Sequence, residues 1–97
     1  MAYFVYVIKS AEFNYSYVGH TKDLILRIKE HNRGKTRSNK AYKPFNLVYF
    51  EKFTTRDEAI LRERYFKTGS GRELIKNILK NAPVVQLDRI PDFGSGG

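Results

Sequence analysis

From residue 3 to residue 8 every side chain is aromatic or β-branched (YFVYVI), and residues 15–19 return to that composition after a largely polar run, KSAEFN. Such residues suit a pleated, half-buried surface, so the pair predicts a β-hairpin turning over 9–14. Alternate side chains of a strand share a face. Phe4, Tyr6 and Ile8 therefore point one way and Tyr3, Val5 and Val7 the other, while Tyr15, Tyr17 and Gly19 share a face of the second strand. The period then changes. Leu24, Ile28 and His31 fall at i, i+4 and i+7 and draw one stripe of a helix, with Arg27 beside it. Thr21 and Asp23 are candidate N-caps for that helix, which runs to about residue 32 and stops at Gly34. A third strand is expected over 47–53, after Pro44. Two capping boxes, Thr55-x-x-Glu58 and Ser70-x-x-Glu73, open helices reaching to about 67 and 81. From Pro83 no period is sustained, so residues 1–81 are read as one domain and 82–97 as a disordered tail.

Composition narrows the class of work. The chain has 97 residues, eighteen Lys and Arg against ten Asp and Glu, and a formal charge of +8. Such a charge attracts polyanions, with nucleic acid the first candidate and a merely solubilising surface the plain alternative. The lack of a long apolar run or a strongly amphipathic basic helix argues against a membrane partner. With no cysteine, disulfides and thiolate metal sites are excluded. The N-terminus reads straight into a strand without the regions of a signal peptide, so a cytoplasmic protein is expected.

The candidate chemistry lies near the hairpin. Tyr17 is a phenol that needs a nearby cation, or a metal, to act as a base near neutral pH. Arg27 could supply that charge or hold a phosphate with its planar fork; the alternative is a solvated helix face. His31, one turn on, reads as a core-edge histidine, a phosphate donor or a proton relay. Glu63 sits among Ala59, Ile60 and Phe66 on the apolar side of a later helix. A carboxylate there needs a partner: an ion pair with Arg62 or Lys67, or a hydrated Mg²⁺. Arg33, Lys35, Arg37, Lys40 and Lys43, with Tyr42 among them, form an acid-free stretch with the composition of a mobile loop. It suits phosphate contacts and base stacking, or a solvated loop, or a protein partner.

Phe4-Val5-Tyr6, Tyr17-Val18-Gly19, Arg27 with His31, and Glu63, in that order, resemble the GIY-YIG nuclease superfamily. The stretches YVGHTKDLILRIKEHN, PFNLVYFEKF and EAILRERYFKTGSGRELIK are similar to its small stand-alone members and to the N-terminal nuclease domain of the repair excinuclease. The resemblance covers residues 2 to about 80. It implies an α+β fold, a small three-stranded antiparallel sheet flanked by about three helices, which agrees with the layout above.

The resemblance also implies an endonuclease that hydrolyses phosphodiester bonds with one divalent metal, Mg²⁺ or Mn²⁺. DNA is favoured over RNA as substrate, and DNA repair is one setting. By the same resemblance Tyr17 orients or deprotonates the attacking water, Tyr6 packs and hydrogen-bonds at the site, and Gly19 admits the backbone. Arg27 stabilises the phosphorane, His31 assists proton transfer, and Glu63 holds the metal. Arg33, Lys35, Arg37, Lys40, Lys43 and Lys67 are the expected nucleic-acid contacts. The chain departs from the pattern at Phe4 and Val5, and at His20, where some members carry lysine. Asn77 lies near the region of a polar residue that completes some family sites. The alternative is a nucleic-acid-binding module of the same fold without turnover.

Overall fold

The computed structural model describes residues 2–81, 84 and 85. Its elements run β1 (Tyr3–Ser10), β2 (Ser16–Thr21), α1 (Leu24–Asn32), β3 (Phe45–Phe53), α2 (Arg56–Phe66) and α3 (Gly69–Asn81). The three strands form one antiparallel sheet in the order β2-β1-β3, so β2 is an edge strand. The fold is α+β, as expected. The expected tail falls outside the described residues apart from Val84 and Val85; Val85 packs on the core and its N–H donates to the Leu47 carbonyl at 2.8 Å.

The alternation of β1 divides the interior in two. Phe4, Tyr6 and Ile8 pack with Leu24 and Ile28 of α1 and with Phe45 and Leu47 of β3. Val5 and Val7 pack on the opposite face with Val18, Val48, Ala59, Phe66 and Ile75, beneath α2 and α3. The buried residues of α1 are Leu24, Ile28 and His31, the stripe its spacing predicts. Burying these apolar side chains supplies most of the folding drive, at about 25 cal/mol per Å² removed from water.

Several local readings shift. Strand β2 continues through His20 to Thr21. Asp23, not Thr21, caps α1, its side chain accepting from the Leu26 N–H. Strand β3 starts at Phe45, because Asn32 at the end of α1 pairs with that residue's backbone N–H and carbonyl. The Ser70 box does not form. Thr68 stands ahead of α3, its hydroxyl accepting from the Gly71 N–H, and Ser70 lies inside the helix.

The register of β1 against β3 slips between Val7 and Ile8, leaving Val48 as an extra residue on β3. Leu47 therefore faces α1 while Tyr49 and Glu51 face α2, an arrangement strict alternation forbids. Glu51 uses this orientation to accept two hydrogen bonds from Arg62 of α2, at 2.8 and 3.0 Å. The Arg62 guanidinium also lies over the rings of Tyr65 and Phe66. This clamp fixes α2, and with it Glu63, against the sheet.

Helix α3 meets α2 at Gly71, where an added Cβ would lie 1.9 Å from the Tyr65 carbonyl oxygen and 2.6 Å from Phe66 Cα. Backbone cannot yield as a flexible side chain can. Gly71→Ala is expected to destabilise the protein by about 2 kcal/mol or more, lowering Tm by roughly 10 °C. Thermal and urea unfolding measure this, and a variant as stable as the parent would contradict it.

Candidate active site

Tyr6 and Gly19 stand opposite each other across β1 and β2, with Tyr17 two positions from Gly19 on the same face. The face is crowded. A Cβ on Gly19 would lie 2.6 Å from the Tyr6 hydroxyl and 2.9 Å from the Tyr17 ring. Only the missing side chain lets the two phenols close over this point. Their ring centroids are 6.3 Å apart, and His31 completes the triangle at 5.7 Å from Tyr6 and 5.3 Å from Tyr17.

Tyr6 and His31 are buried and joined at 2.8 Å between the hydroxyl and Nε2. The other ring nitrogen, Nδ1, faces the Asn39 side-chain oxygen at 3.4 Å. An amide oxygen can only accept, so Nδ1 carries the proton and Nε2 accepts from Tyr6. Burial, with the Arg27 charge second, pulls the His31 pKa below its ordinary value, against the Asn39 bond and Glu30. Burial also pushes Tyr6 up to about 12, although Arg27 pulls the other way. Both groups are therefore neutral near pH 7. Tyr6 is a donor held in place; Tyr17 beside it is half-buried and the more accessible of the two phenols.

Arg27 reaches this pair from α1. Burial works against its charge, and its bonds to the Tyr6 hydroxyl and to Glu30 prevail and raise its pKa. Its Nη1 donates to Glu30 at 3.1 Å.

Glu63 comes from the other face. His20 pairs with Val5 and so points toward α2, where its Nδ1 donates to Glu63 Oε1 at 2.5 Å. Lys67, one turn along, donates to the second carboxylate oxygen at 2.9 Å and lies 5.6 Å from the Tyr17 ring centroid. Partial burial opposes the charge on Glu63, but the bonds from His20 and Lys67 hold its carboxyl below the usual range. The site thus wraps the edge strand. The phenols, His31 and Arg27 lie on the α1 side and Glu63 on the α2 side, with Lys67 joining them.

Tyr6, Tyr17, Gly19, Arg27, His31, Glu63 and Lys67 thus form one connected neighbourhood. Arg33, Lys35, Arg37, Lys40 and Lys43 are exposed on the loop between α1 and β3, which makes one 3₁₀ turn over Lys40–Tyr42. Tyr42, the aromatic interleaved in this basic stretch, lies flat on Tyr15, centroids 4.1 Å apart at 7°. The loop is anchored by Asn39, which is fully buried. Asn77 is exposed on α3. Sequence reasoning missed His20, Glu30 and Asn39 as members of this cluster. Alternation put His20 on the face away from Tyr17, and an asparagine in a basic loop carries no signal of burial.

A family model described as GIY-YIG catalytic domain matches residues 2–76. The chain belongs to the GIY-YIG family. It is 35% identical over 78 residues to UPF0213 proteins of Staphylococcus aureus strains Mu3 and COL, covering 79% of this chain and 94% of each relative. The GIY-YIG members it matches are thus small stand-alone proteins. A solution NMR structure of the UPF0213 protein from Bacillus halodurans aligns with 28% identity and a TM-score of 0.49, over 80% of this chain and 85% of that one. Membership in the GIY-YIG family implies a nucleic-acid substrate in general, and its nucleases generally use a divalent metal. Among the described residues no helix is long and apolar enough to cross a membrane.

Among the described residues no three His, Asp or Glu side chains converge as a metal cage. At Glu63 both carboxylate oxygens are held, by His20 and Lys67, so a cation there would have to displace one of them; Mg²⁺ is commonly held by one or two carboxylates with water completing its shell.

The His31 pKa fixes a pH dependence. The unfolded chain takes up a proton as pH falls through about 6.5, and folded His31 resists it. The stability this represents is fully present above that value and lost as pH drops below it. Tm is expected to fall between about pH 7 and pH 5, and His31→Gln to flatten that part of the profile. An equally steep profile in the variant would contradict the assignment.

Proposed function

We propose that the protein is a metal-dependent endonuclease that hydrolyses phosphodiester bonds of DNA. The observation that carries this reading is the closure of one polar cluster around the edge strand: a half-buried phenol and a guanidinium, with a carboxylate joined to them through Lys67, gather around the point where Gly19 lets the two phenols close. A scissile phosphate at the rim of the cluster, beside the half-buried Tyr17, would come within reach of the Arg27 guanidinium. Water attacks phosphorus, oriented by the Tyr17 oxygen, and gives up its proton to solvent. The bond from phosphorus to the 3′-oxygen breaks, and that oxygen is protonated from solvent. Arg27 opposes the negative charge that builds on the phosphoryl oxygens, a contact that strengthens as the charge develops. Tyr6, held by His31, gives the guanidinium a fixed backstop. A divalent cation on Glu63 would supply positive charge toward the leaving oxygen.

One observation favours the alternative of a binding module without turnover: both Glu63 oxygens are engaged, by His20 and by Lys67. Either bond must yield to a cation. The small, basic chain supports binding to exposed phosphates, and DNA is favoured over RNA as substrate.

The two readings separate on one experiment. Labelled single-stranded, duplex and branched DNA and RNA are incubated with Mg²⁺, Mn²⁺ or chelator. The parent is expected to cut only with metal, and Glu63→Gln to lose at least a hundredfold in rate (about 2.7 kcal/mol or more) while binding substrate within a few-fold of the parent. Cleavage by the variant at the parental rate would overturn the role of Glu63. Binding without a metal-dependent product on any substrate would establish the binding module.

A further inference from the structure

Strand β2 carries the site at its middle, and each of its ends lies beside a group of cations. At its start, Tyr15 stacks on Tyr42, flanked in sequence by the exposed Lys40 and Lys43, and the Ala11 N–H donates to the Pro44 carbonyl, so the basic loop abuts this end. At its finish a concave pocket of about 330 Å³ is lined by Tyr3, His20, Thr21, Lys22 and Arg56. Lys22 follows the last residue of β2, and Arg56 is the first residue of α2. Both are exposed. The pocket adjoins the site through His20, whose Nδ1 holds Glu63.

From these positions we infer that the Lys22–Arg56 pocket is a second phosphate subsite, and that the substrate strand runs lengthwise along β2, gripped at both ends. Resting on the nuclease reading, this adds a path to it. The six residues of β2 span roughly 17 Å, a length that more than one phosphate of a single strand laid along it would cover. A strand anchored at the basic loop would cross the half-buried Tyr17 and deliver a flanking phosphate to the pocket. Its paired cations and a phenol suit a phosphodiester oxygen, and the 330 Å³ volume admits the attached sugar. Two grips straddling the reaction point hold the scissile phosphate taut beside Tyr17 without any base being read. The expected selectivity is therefore for backbone accessibility over sequence.

The test measures binding of a single-stranded DNA dodecamer by fluorescence anisotropy across a salt series, with chelator present so that nothing is cut. Three variants are compared with the parent: Lys22→Gln/Arg56→Gln, Lys40→Gln/Lys43→Gln, and as control Lys76→Gln on α3. Each double variant is expected to weaken binding on the order of tenfold and to reduce the slope of log affinity against log salt by about 1.4, two single-strand phosphate contacts. Their combination is expected to lose both amounts, because the grips act together on one strand. The control keeps the parental slope. If Lys22→Gln/Arg56→Gln retains parental affinity and slope while the loop variant loses both, the pocket and the path are overturned and the nuclease reading stands. If the parent binds no dodecamer, both fail together.

Discussion

The hydrogen bond between Tyr6 and His31 is the constraint around which the rest of the site is arranged. It joins the middle of β1 to the last turn of α1 in a region closed to water. In such a place an unmet hydroxyl or ring nitrogen costs on the order of 1–3 kcal/mol. The bond therefore sets which way α1 faces. With His31 inward, Leu24 and Ile28 turn inward too, and Arg27 is carried to the rim beside the Tyr6 hydroxyl. It also dictates what may stand opposite Tyr6. Any side chain at position 19 would strike the phenol, so the glycine follows from the bond.

Placing this arrangement on the edge strand determines its chemistry. A central strand has neighbours on both sides and no approach to its backbone; β2 has one neighbour. Side chains from its two faces can meet around its free edge, as Tyr17 and His20 do through Lys67 and Glu63. The clamp of Arg62 on Glu51 makes this meeting reproducible, since it fixes α2 one residue before Glu63. That clamp in turn depends on the extra residue at Val48, which turns Glu51 toward α2. Structural and chemical carboxylates thus come from neighbouring decisions in the fold.

Much of this was legible in the chain. The period-two run of β1 gave both faces of the sheet, and the i, i+4, i+7 spacing gave the buried stripe of α1, His31 included. The Thr55 capping box formed as read. The readings that shifted did so where a long-range contact overrode a local one. Asn32 extended β3 by holding Phe45, and Thr68 displaced the Ser70 box because α3 had to approach α2 at Gly71. The stack of Tyr42 on Tyr15 joins rings distant in sequence, a contact no local pattern announced.

By itself the sequence determined the elements, their faces, the family and the residue types able to act on a phosphate, because periodicity, capping and motif order are properties of short stretches of chain. Only the tertiary structure decided that Glu63 shares its two oxygens between His20 and Lys67, that Asn39 is buried against His31, and that Tyr6 is the buried phenol and Tyr17 the more accessible one. Those facts depend on burial and, for His20 and Glu63, on groups brought together from 43 residues apart. Desolvation and electrostatic attraction act through space, and no local pattern encodes the distance between two residues that only folding makes neighbours.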